Sequence, residues 1–363
     1  MSIALIQDYL ANVGGAEQVY ASLSELKFTS TLVLVDMTSD GYSAAKIGGR
    51  PCLSADAGTF GEPSLRLPRA LTRLRTQKVT KCDSALIMHH HLGLYANPAP
   101  RTVYYLHTPT KFVWEPASVS WEVANLTDVM RGEVAARELR NIEAARELIS
   151  NSRATAKRVE IHYRRSSTVI YPPIRRRCEV SARPTSLPPE IVSGQFMLTI
   201  CRIAPSKQLE SVLPFVEKFP IPWVVAGGGR LYAHFLENQG AGVHFIGDVT
   251  QSEASWLIEH ARCSLTPAVE DFGLFGAEAI ASGLPSVIRS GSGVLELSAG
   301  GRGVEPFNWP GSDEGASLLS AIDNALGSAV PRALAHGIRA ELAQPLFLDR
   351  IRQRLLRSTG EVV

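Results

Sequence analysis

The sequence has little of what marks several protein classes. It holds 5 cysteines in 363 residues, Cys52, Cys82, Cys178, Cys201 and Cys263. The number is odd, the positions are scattered and no Cys-x-x-Cys occurs, which argues against a disulfide framework or a cysteine-based zinc cluster. We read them as reduced, mostly buried small apolar side chains of a cytosolic protein. No run approaches the roughly 18 consecutive apolar residues of a membrane span. An excess of one charge sign is missing too. Lys and Arg number 37, Asp and Glu 35, a formal net charge of +2, so the chain as a whole is no basic nucleic-acid binder and no nucleic-acid partner is expected. The opening Met1-Ser2-Ile3-Ala4-Leu5-Ile6-Gln7-Asp8 lacks a basic stretch followed by an apolar one, so no secretory leader is expected there.

What is present points to packed cores. Hydrophobic residues make up 45% and charged residues 20%, outside the range of a disordered chain. At about 100–200 residues per domain the length suits two domains, with one large barrel as the alternative. Short apolar runs at Ile3–Ile6, Thr31–Val35, Ala85–Met88 and Val103–Leu106 read as buried strands. Helical patterns at Ala16–Leu26, Glu133–Leu148 and Arg153–Tyr163 lie between or after them, the last capped by Ser150-Asn151-Ser152. Residues 172–195, with Pro172-Pro173, Pro184, Pro188-Pro189 and Arg175-Arg176-Arg177, have the composition of a linker or surface excursion. The alternation then resumes with strands at Phe196–Cys201, Trp223–Ala226, Val243–Ile246, Ser264–Pro267 and Ser286–Ile288. Leu348, Ile351, Leu355 and Leu356 predict a closing amphipathic helix over Leu348–Ser358. Strand–helix alternation in two halves predicts two open parallel α/β domains, with ligands beyond the carboxyl ends of the strands and a cleft between domains that face each other.

The chemistry should therefore sit in the turns after strands. Gly14-Gly15 opens a helix after the first strand, where backbone N–H groups can approach a phosphate. Arg202 and Lys207 straddle the turn after Phe196–Cys201, two cations suited to the charge that grows on a departing diphosphate. Gly227-Gly228-Gly229 follows a further strand and allows close backbone approach, or simply forms a loop. Glu270-Asp271-Phe272-Gly273-Leu274-Phe275-Gly276-Ala277-Glu278 places one carboxylate in a loop and another in the helix beginning near Leu274. The N–H groups around Phe272–Phe275 form an anion site, and carboxylates beside it suit sugar hydroxyls.

These segments resemble the retaining, GT-B-fold glycosyltransferases of family 4. The resemblance rests on Glu270-x7-Glu278 with Phe272-Gly273 between, followed by Ser282-Gly283-Leu284-Pro285, and on Gly14-Gly15-Ala16-Glu17. It extends to Asn151-Ser152-Arg153, to Val169-Ile170-Tyr171-Pro172-Pro173, and to Arg202 and Lys207. Tyr105-Leu106-His107-Thr108-Pro109 resembles a mannosyltransferase-like subgroup. Leu284-Pro285-Ser286-Val287 and Ser290-Gly291-Ser292-Gly293-Val294-Leu295-Glu296 depart from the usual pattern. The resemblance implies α/β GT-B architecture, two Rossmann-like domains facing a central cleft, with the C-terminal helix packing back. The implied bounds are 1–172 for an acceptor-side domain, 173–340 for a nucleotide-sugar-binding domain and 341–363 for the closing helix. It implies transfer of a hexose, mannose first, from a nucleotide diphosphate sugar to a saccharide or polyprenyl-lipid acceptor in cell-surface polysaccharide or glycolipid biosynthesis. Anomeric configuration would be retained, without cofactor or metal. Arg202 and Lys207 would stabilise the diphosphate, Glu270, Phe272, Gly273 and Leu274 would hold the sugar, and Glu278 the ribose. Gly14, Gly15 and Gly228 would serve donor binding, and His107 would lie near the reacting sugar on the acceptor side.

Plainer readings stand beside these. Glu270 and Glu278 could be a solvated surface pair, and His107 a satisfied core histidine. His89-His90-His91 cannot chelate one ion from a strand, whose neighbouring side chains point to opposite faces; His91 suits a cleft wall. Rivals to transfer are a sugar-nucleotide epimerase on the same fold and a non-catalytic nucleotide-sugar-binding partner. The basic, amphipathic segment Leu65–Arg75 is either a solvated helix face or a contact with an anionic membrane. In the second case the protein sits peripherally on the inner face of the plasma membrane, and replacing Arg66, Arg69, Arg73 and Arg75 by Gln weakens binding to anionic vesicles. Unchanged co-sedimentation would retire that reading.

Overall fold

The computed structural model describes residues 2–10, 14–26, 28–36, 52–54, 82–89, 101–116, 128–176, 178–217, 219–240, 242–298, 300–309 and 315–359. The basic segment Leu65–Arg75, His90 and His91 lie outside them. The chain forms two units, Met1–Pro173 with Gln344–Val363, and Ile174–Ala343. Among the described residues no helix is long and apolar enough to cross a membrane.

The first unit runs β1 (Ile3–Leu10), α1 (Gly15–Leu23), β2 (Ser30–Asp36), β3 (Cys52–Ser54), β4 (Ser84–His89), β5 (Arg101–Leu106), α2 (Lys111–Trp114), α3 (Asp128–Ala144), β6 (Glu147–Ser150), α4 (Arg153–Tyr163) and β7 (Thr168–Val169). The sheet order is β3-β2-β1-β4-β5-β6-β7, and every pairing is parallel. Every residue of β4 is buried, and so is all of β5 after Arg101. That is the pattern of parallel strands covered on both faces. The helix expected to run to Leu148 stops at Ala144. Leu148 and Ile149 instead join β6 beside Tyr104 and Tyr105, where both are buried. Arg165 closes the helix end by donating to the carbonyls of Ile142, Glu143 and Ala145. The cap of α4 is Ser152, whose Oγ accepts from the Thr155 N–H at 3.0 Å.

The second unit runs β8 (Met197–Ile200), a 3-10 turn (Pro205–Lys207), α5 (Leu209–Val216), β9 (Trp223–Ala226), α6 (Tyr232–Glu237), β10 (Val243–Gly247), α7 (Gln251–His260), β11 (Cys263–Thr266), α8 (Leu274–Ala281), β12 (Ser286–Arg289), α9 (Leu295–Ser298), β13 (Val304–Phe307), α10 (Ala316–Leu326) and α11 (Arg332–Glu341). Its parallel sheet has the order β10-β9-β8-β11-β12-β13. Trp223 is fully buried. Its indole N–H is satisfied by Thr199 Oγ1 at 2.9 Å, and that hydroxyl donates on to the Leu265 carbonyl at 2.5 Å. A buried Trp demands such a partner.

Residues 174–195 are no free linker. Leu187 and Ile191 are buried against Phe196 and Leu257. The Cys178 N–H donates to Ser255 Oγ, and Ser181 Oγ donates to Glu259 at 2.8 Å, both on α7. The segment that mimics a linker is held by these two apolar anchors and by side-chain hydrogen bonds. Arg183, for example, donates to the carbonyls of Leu187 and Pro188.

The last helix, α12 (Gln344–Thr359), belongs to the first unit. Phe347, Ile351 and Leu355 at four-residue spacing are buried among Leu5, Val19, Tyr20 and Tyr105. Phe347 meets Tyr105 edge to face with centroids 5.9 Å apart. Arg354 pairs with Glu147 at 3.0 Å. The sequence pattern, which starts at Leu348, includes the buried Ile351 and Leu355 and omits Phe347, the aromatic anchor of the helix. Phe347→Ala is expected to cost about 3–5 kcal/mol in the unfolding of this unit, read as a drop in Tm, with Leu348→Ala costing far less. A loss under about 1 kcal/mol for Phe347→Ala would contradict the packing account.

Candidate functional site

Each sheet reverses its strand order once. In the second unit the reversal lies between β8 and β11, and such a switch point leaves a crevice at the carboxyl ends where ligands enter. The residues after those two strands meet there. Lys207 ends the 3-10 turn after β8, and its Nζ lies 2.7 Å from Oε1 of Glu270, in the loop after β11. Both side chains are about one quarter exposed, at 24%. Burial alone would lower the Lys207 pKa, but the Glu270 carboxylate, with the Cys201 sulfur, raises the ammonium above the ordinary lysine range. The Arg202 charge acts on the same ammonium in the opposite sense, and Arg202 is exposed. Burial pushes the neighbouring Cys201 thiol up to about 12, so it supplies no thiolate nucleophile at neutral pH.

The Glu270 loop is fixed from its own unit. The Glu270 N–H donates to Ser292 Oγ at 3.1 Å, and its carbonyl accepts from the Gly293 N–H at 3.0 Å. Phe272 is buried, and its carbonyl accepts from the Val294 N–H at 2.6 Å. Gly273 caps α8 at φ +100. A Cβ there would press on Glu270 and Val294 at 3.3 Å, so this turn requires glycine. Leu274 opens the helix, whose first-turn N–H groups lack intrahelical acceptors.

Glu278 lies on α8, is buried, and is held by a residue that the sequence reading left in the linker. Arg175 donates its backbone N–H (3.2 Å) and Nε (3.0 Å) to Oε1, and Nη2 (3.2 Å) to Oε2. Burial alone would lower the Arg175 pKa; the charge and hydrogen bonds of Glu278, with a smaller contribution from Cys178, together raise it. No local signal marked this pair, because the partners are 103 residues apart.

Gly228 differs from expectation. Its N–H donates to Asp248 Oδ1 at 2.6 Å. A Cβ on neighbouring Gly227 would fall 2.0 Å from the Cys201 carbonyl oxygen. The glycine run first serves close packing against the loop after β8, and the Gly228 N–H is already engaged.

The remaining candidates belong to the first unit. The Gly14 N–H donates to the Glu17 carboxylate at 3.0 Å, the half of a capping box that a glycine N-cap allows, and Gly15 opens α1. His107 follows β5 and is buried. Its N–H donates to the His89 carbonyl at 3.0 Å, its own carbonyl accepts from Asn151 Nδ2 at 3.0 Å, and its ring meets Tyr105 at 5.3 Å. The motif Asn151-Ser152 thus positions the His107 backbone.

Linked to it through His89 is a buried carboxylate that sequence reasoning missed. Glu138 is fully buried on α3. It faces His89 Nε2 at 3.1 Å and accepts from Thr110 Oγ1 at 2.9 Å, from Trp114 Nε1 at 2.8 Å and from the Tyr163 hydroxyl. Among the described residues, His89 Nδ1 is buried with no hydrogen-bond partner. A signal did exist. Val134, Glu138 and Ile142 form one stripe at four-residue spacing, and all three are buried. A charge in an apolar stripe needs a partner, and this one is given several. Among the described residues no group of three or more His, Cys, Asp or Glu is placed to hold a metal ion.

No protein-family model matches the chain, and no curated protein sequence matches it. Solved structures do. The chain is similar to sucrose-phosphate synthase from Thermosynechococcus elongatus, with TM-score 0.68 and 15% identity over 99% of both chains. It is similar to HepE of Anabaena in complex with UDP and glucose, with TM-score 0.66 and 15% identity over 98% of this chain and 100% of that one. It is also similar to WaaG, a glycosyltransferase involved in lipopolysaccharide biosynthesis, with TM-score 0.66 and 16% identity over 99% and 100%. At such identity the likeness establishes the fold, two parallel-sheet α/β domains of the GT-B class.

Burial alone would raise the Glu138 pKa, but hydrogen bonds and the charge of His89 win and lower it. A carboxylate with a depressed folded-state pKa contributes stability above its unfolded value near 4.5, and that stability is lost as pH falls through the folded value. Glu138→Gln is therefore expected to cost about 1–3 kcal/mol at neutral pH and to flatten the acid limb of stability against pH. Denaturant unfolding from neutral pH downward checks this; parallel acid limbs would contradict it.

Proposed function

We propose that the protein is a glycosyltransferase that moves a hexose from a nucleotide diphosphate sugar to a hydroxyl of a saccharide or lipid-linked acceptor. The observation that carries this is the Lys207–Glu270 pair at the strand-order reversal of the second unit. A cation and a carboxylate at one crevice match the two halves of such a donor. The ammonium turns to the diphosphate, and the carboxylate accepts hydroxyl hydrogen bonds from the sugar. Support comes from fold neighbours, one a named glycosyltransferase and one holding UDP and glucose.

In the reaction an acceptor oxygen bonds to the anomeric carbon as the carbon–oxygen bond to the diphosphate breaks, and the hydroxyl proton leaves with the nucleoside diphosphate. Negative charge grows on the departing phosphate. Lys207, held by Glu270, meets it as preorganised charge, and the exposed Arg202 supplies a second cation. We read the transfer as retaining and as independent of a resident metal, with these cations in the metal's place. Glu270, Phe272, Gly273 and Leu274 hold the sugar. Glu278 reaches the ribose only as an Arg175-bound carboxylate, with few lone pairs to spare. For His107 we propose acceptor-side chemistry, and for Gly14 and Gly15 phosphate contact. Mannose is the first sugar to try, by subgroup resemblance, with a UDP-hexose second. We place the protein in the cytoplasm, with peripheral membrane contact if the basic segment binds lipid.

A nucleotide panel tests the reading. One of GDP, UDP, ADP and TDP, or its sugar, present at about 100 times its Kd, is expected to stabilise the protein by about 2.7 kcal/mol. Lys207→Ala is expected to lower kcat by roughly 10²–10³, about 2.7–4 kcal/mol. A loss below about tenfold in a folded variant would refute the role of Lys207. An altered free sugar nucleotide formed without acceptor would replace transfer by epimerisation, and binding without turnover would leave a non-catalytic partner.

A further inference from the structure

The carboxyl ends of the second sheet hold one more cation, which the proposed chemistry does not use. Arg289 ends β12 and is 8% exposed. Its guanidinium donates to acceptors on three separate loops: Gln208 Oε1, the Pro267 carbonyl at 3.3 Å and the Trp309 carbonyl. All three acceptors are neutral. Among the described residues no carboxylate pairs with Arg289, and burial alone lowers its pKa from the ordinary arginine value. A buried charge without a counter-charge is a costly way to tie loops together. What arginine adds is a planar fork that meets several acceptors in a fixed geometry.

Gln208 makes the choice of acceptor informative. It stands between Lys207 and α5 with φ 53, one of two non-glycine residues at positive φ among those described. L-residues rarely adopt this conformation, and it persists where the surroundings enforce it. Among the described residues Arg289 is the one hydrogen-bond partner of the Gln208 side chain. The turn before it is tight, since the Lys207 N–H donates to the Ala204 carbonyl at 2.9 Å and the Gln208 N–H to the Pro205 carbonyl at 3.0 Å.

We propose that Arg289 is a positioning residue that clamps Gln208 in its left-handed conformation against the loops after β11 and β13, and thereby sets the direction in which Lys207 presents its ammonium to a diphosphate. The clamp stands on the geometry alone; its consequence for a ligand rests on the donor reading above.

Calorimetric titration of UDP, GDP, uridine and guanosine into wild type, R289K, R289Q, K207A and R289Q/K207A tests the consequence. Both Arg289 variants are expected to weaken the preferred diphosphate roughly tenfold while leaving nucleoside binding within about twofold. In the K207A background R289Q should add less than about twofold, because a positioning residue acts through the side chain already removed. Unchanged diphosphate binding, or losses that multiply in the double variant, would overturn the proposal. Amide hydrogen exchange tests the clamp without a ligand. Lys207 and Gln208 are expected to exchange faster in R289K while Met197 in β8 does not. Equal exchange at the turn overturns the clamp, and so does faster exchange in both places, which is general destabilisation. If wild type binds no nucleotide, the donor reading fails and the exchange result alone decides on Arg289.

Discussion

A parallel sheet directs the carboxyl ends of all its strands to one edge, and a reversal of strand order opens that edge at one place. In the second unit that place is between β8 and β11, and the two loops leaving it carry opposite charges that meet at 2.7 Å. The rest of the site is arranged around this meeting. The Glu270 loop is tied to the loop after β12 by Ser292 and Gly293. The turn bearing Lys207 is tied to β12 and to the loop after β13 through Gln208 and Arg289. Neither charged side chain could be held at a quarter exposure in a fixed direction without that support.

The handling of charge differs from place to place, and the differences follow from burial. Lys207 and Glu270 are partly wet and compensate one another. Glu278 is nearly dry and is met by three N–H groups of one arginine, which use both of its oxygens. Glu138 is fully dry and collects donors from His89, Thr110, Trp114 and Tyr163. Removing one partner from any such set leaves a desolvated group behind, which costs more than the bond itself contributes. The partly wet pair can exchange partners at lower cost than the dry sets, of which the Glu138 set lies wholly inside its unit.

Much of this architecture was legible before any coordinates. Apolar runs of four to six residues separated by helical patterns specify parallel strands, because both faces of such strands are covered. The loops that carry Lys207 and Glu270 were found by asking which residues follow strands. What stayed hidden depends on contacts distant in sequence. Arg175 sits among prolines and other arginines, and only the fold brings it to Glu278. Glu138 lies in a helix rich in Arg and Glu, where one more carboxylate is unremarkable unless its apolar stripe is traced through Val134 and Ile142. The helix expected to run to Leu148 ends at Ala144 because Glu147 and Leu148 fit a strand as well as a helix, and pairing with β5 decides between them. The glycines at 227–229 suit either a ligand or a plain loop by sequence, and the fold uses Gly227 for close passage, since a Cβ there would fall 2.0 Å from the Cys201 carbonyl oxygen.

The central claim is that the crevice between β8 and β11 receives the diphosphate of a sugar nucleotide. Amide hydrogen exchange mapped along the whole chain, with and without the nucleoside diphosphate that binds best, tests it most directly. The account predicts new protection concentrated in residues 202–208 and 270–278. Protection confined to other segments, with these two loops exchanging as in the free protein, would contradict it.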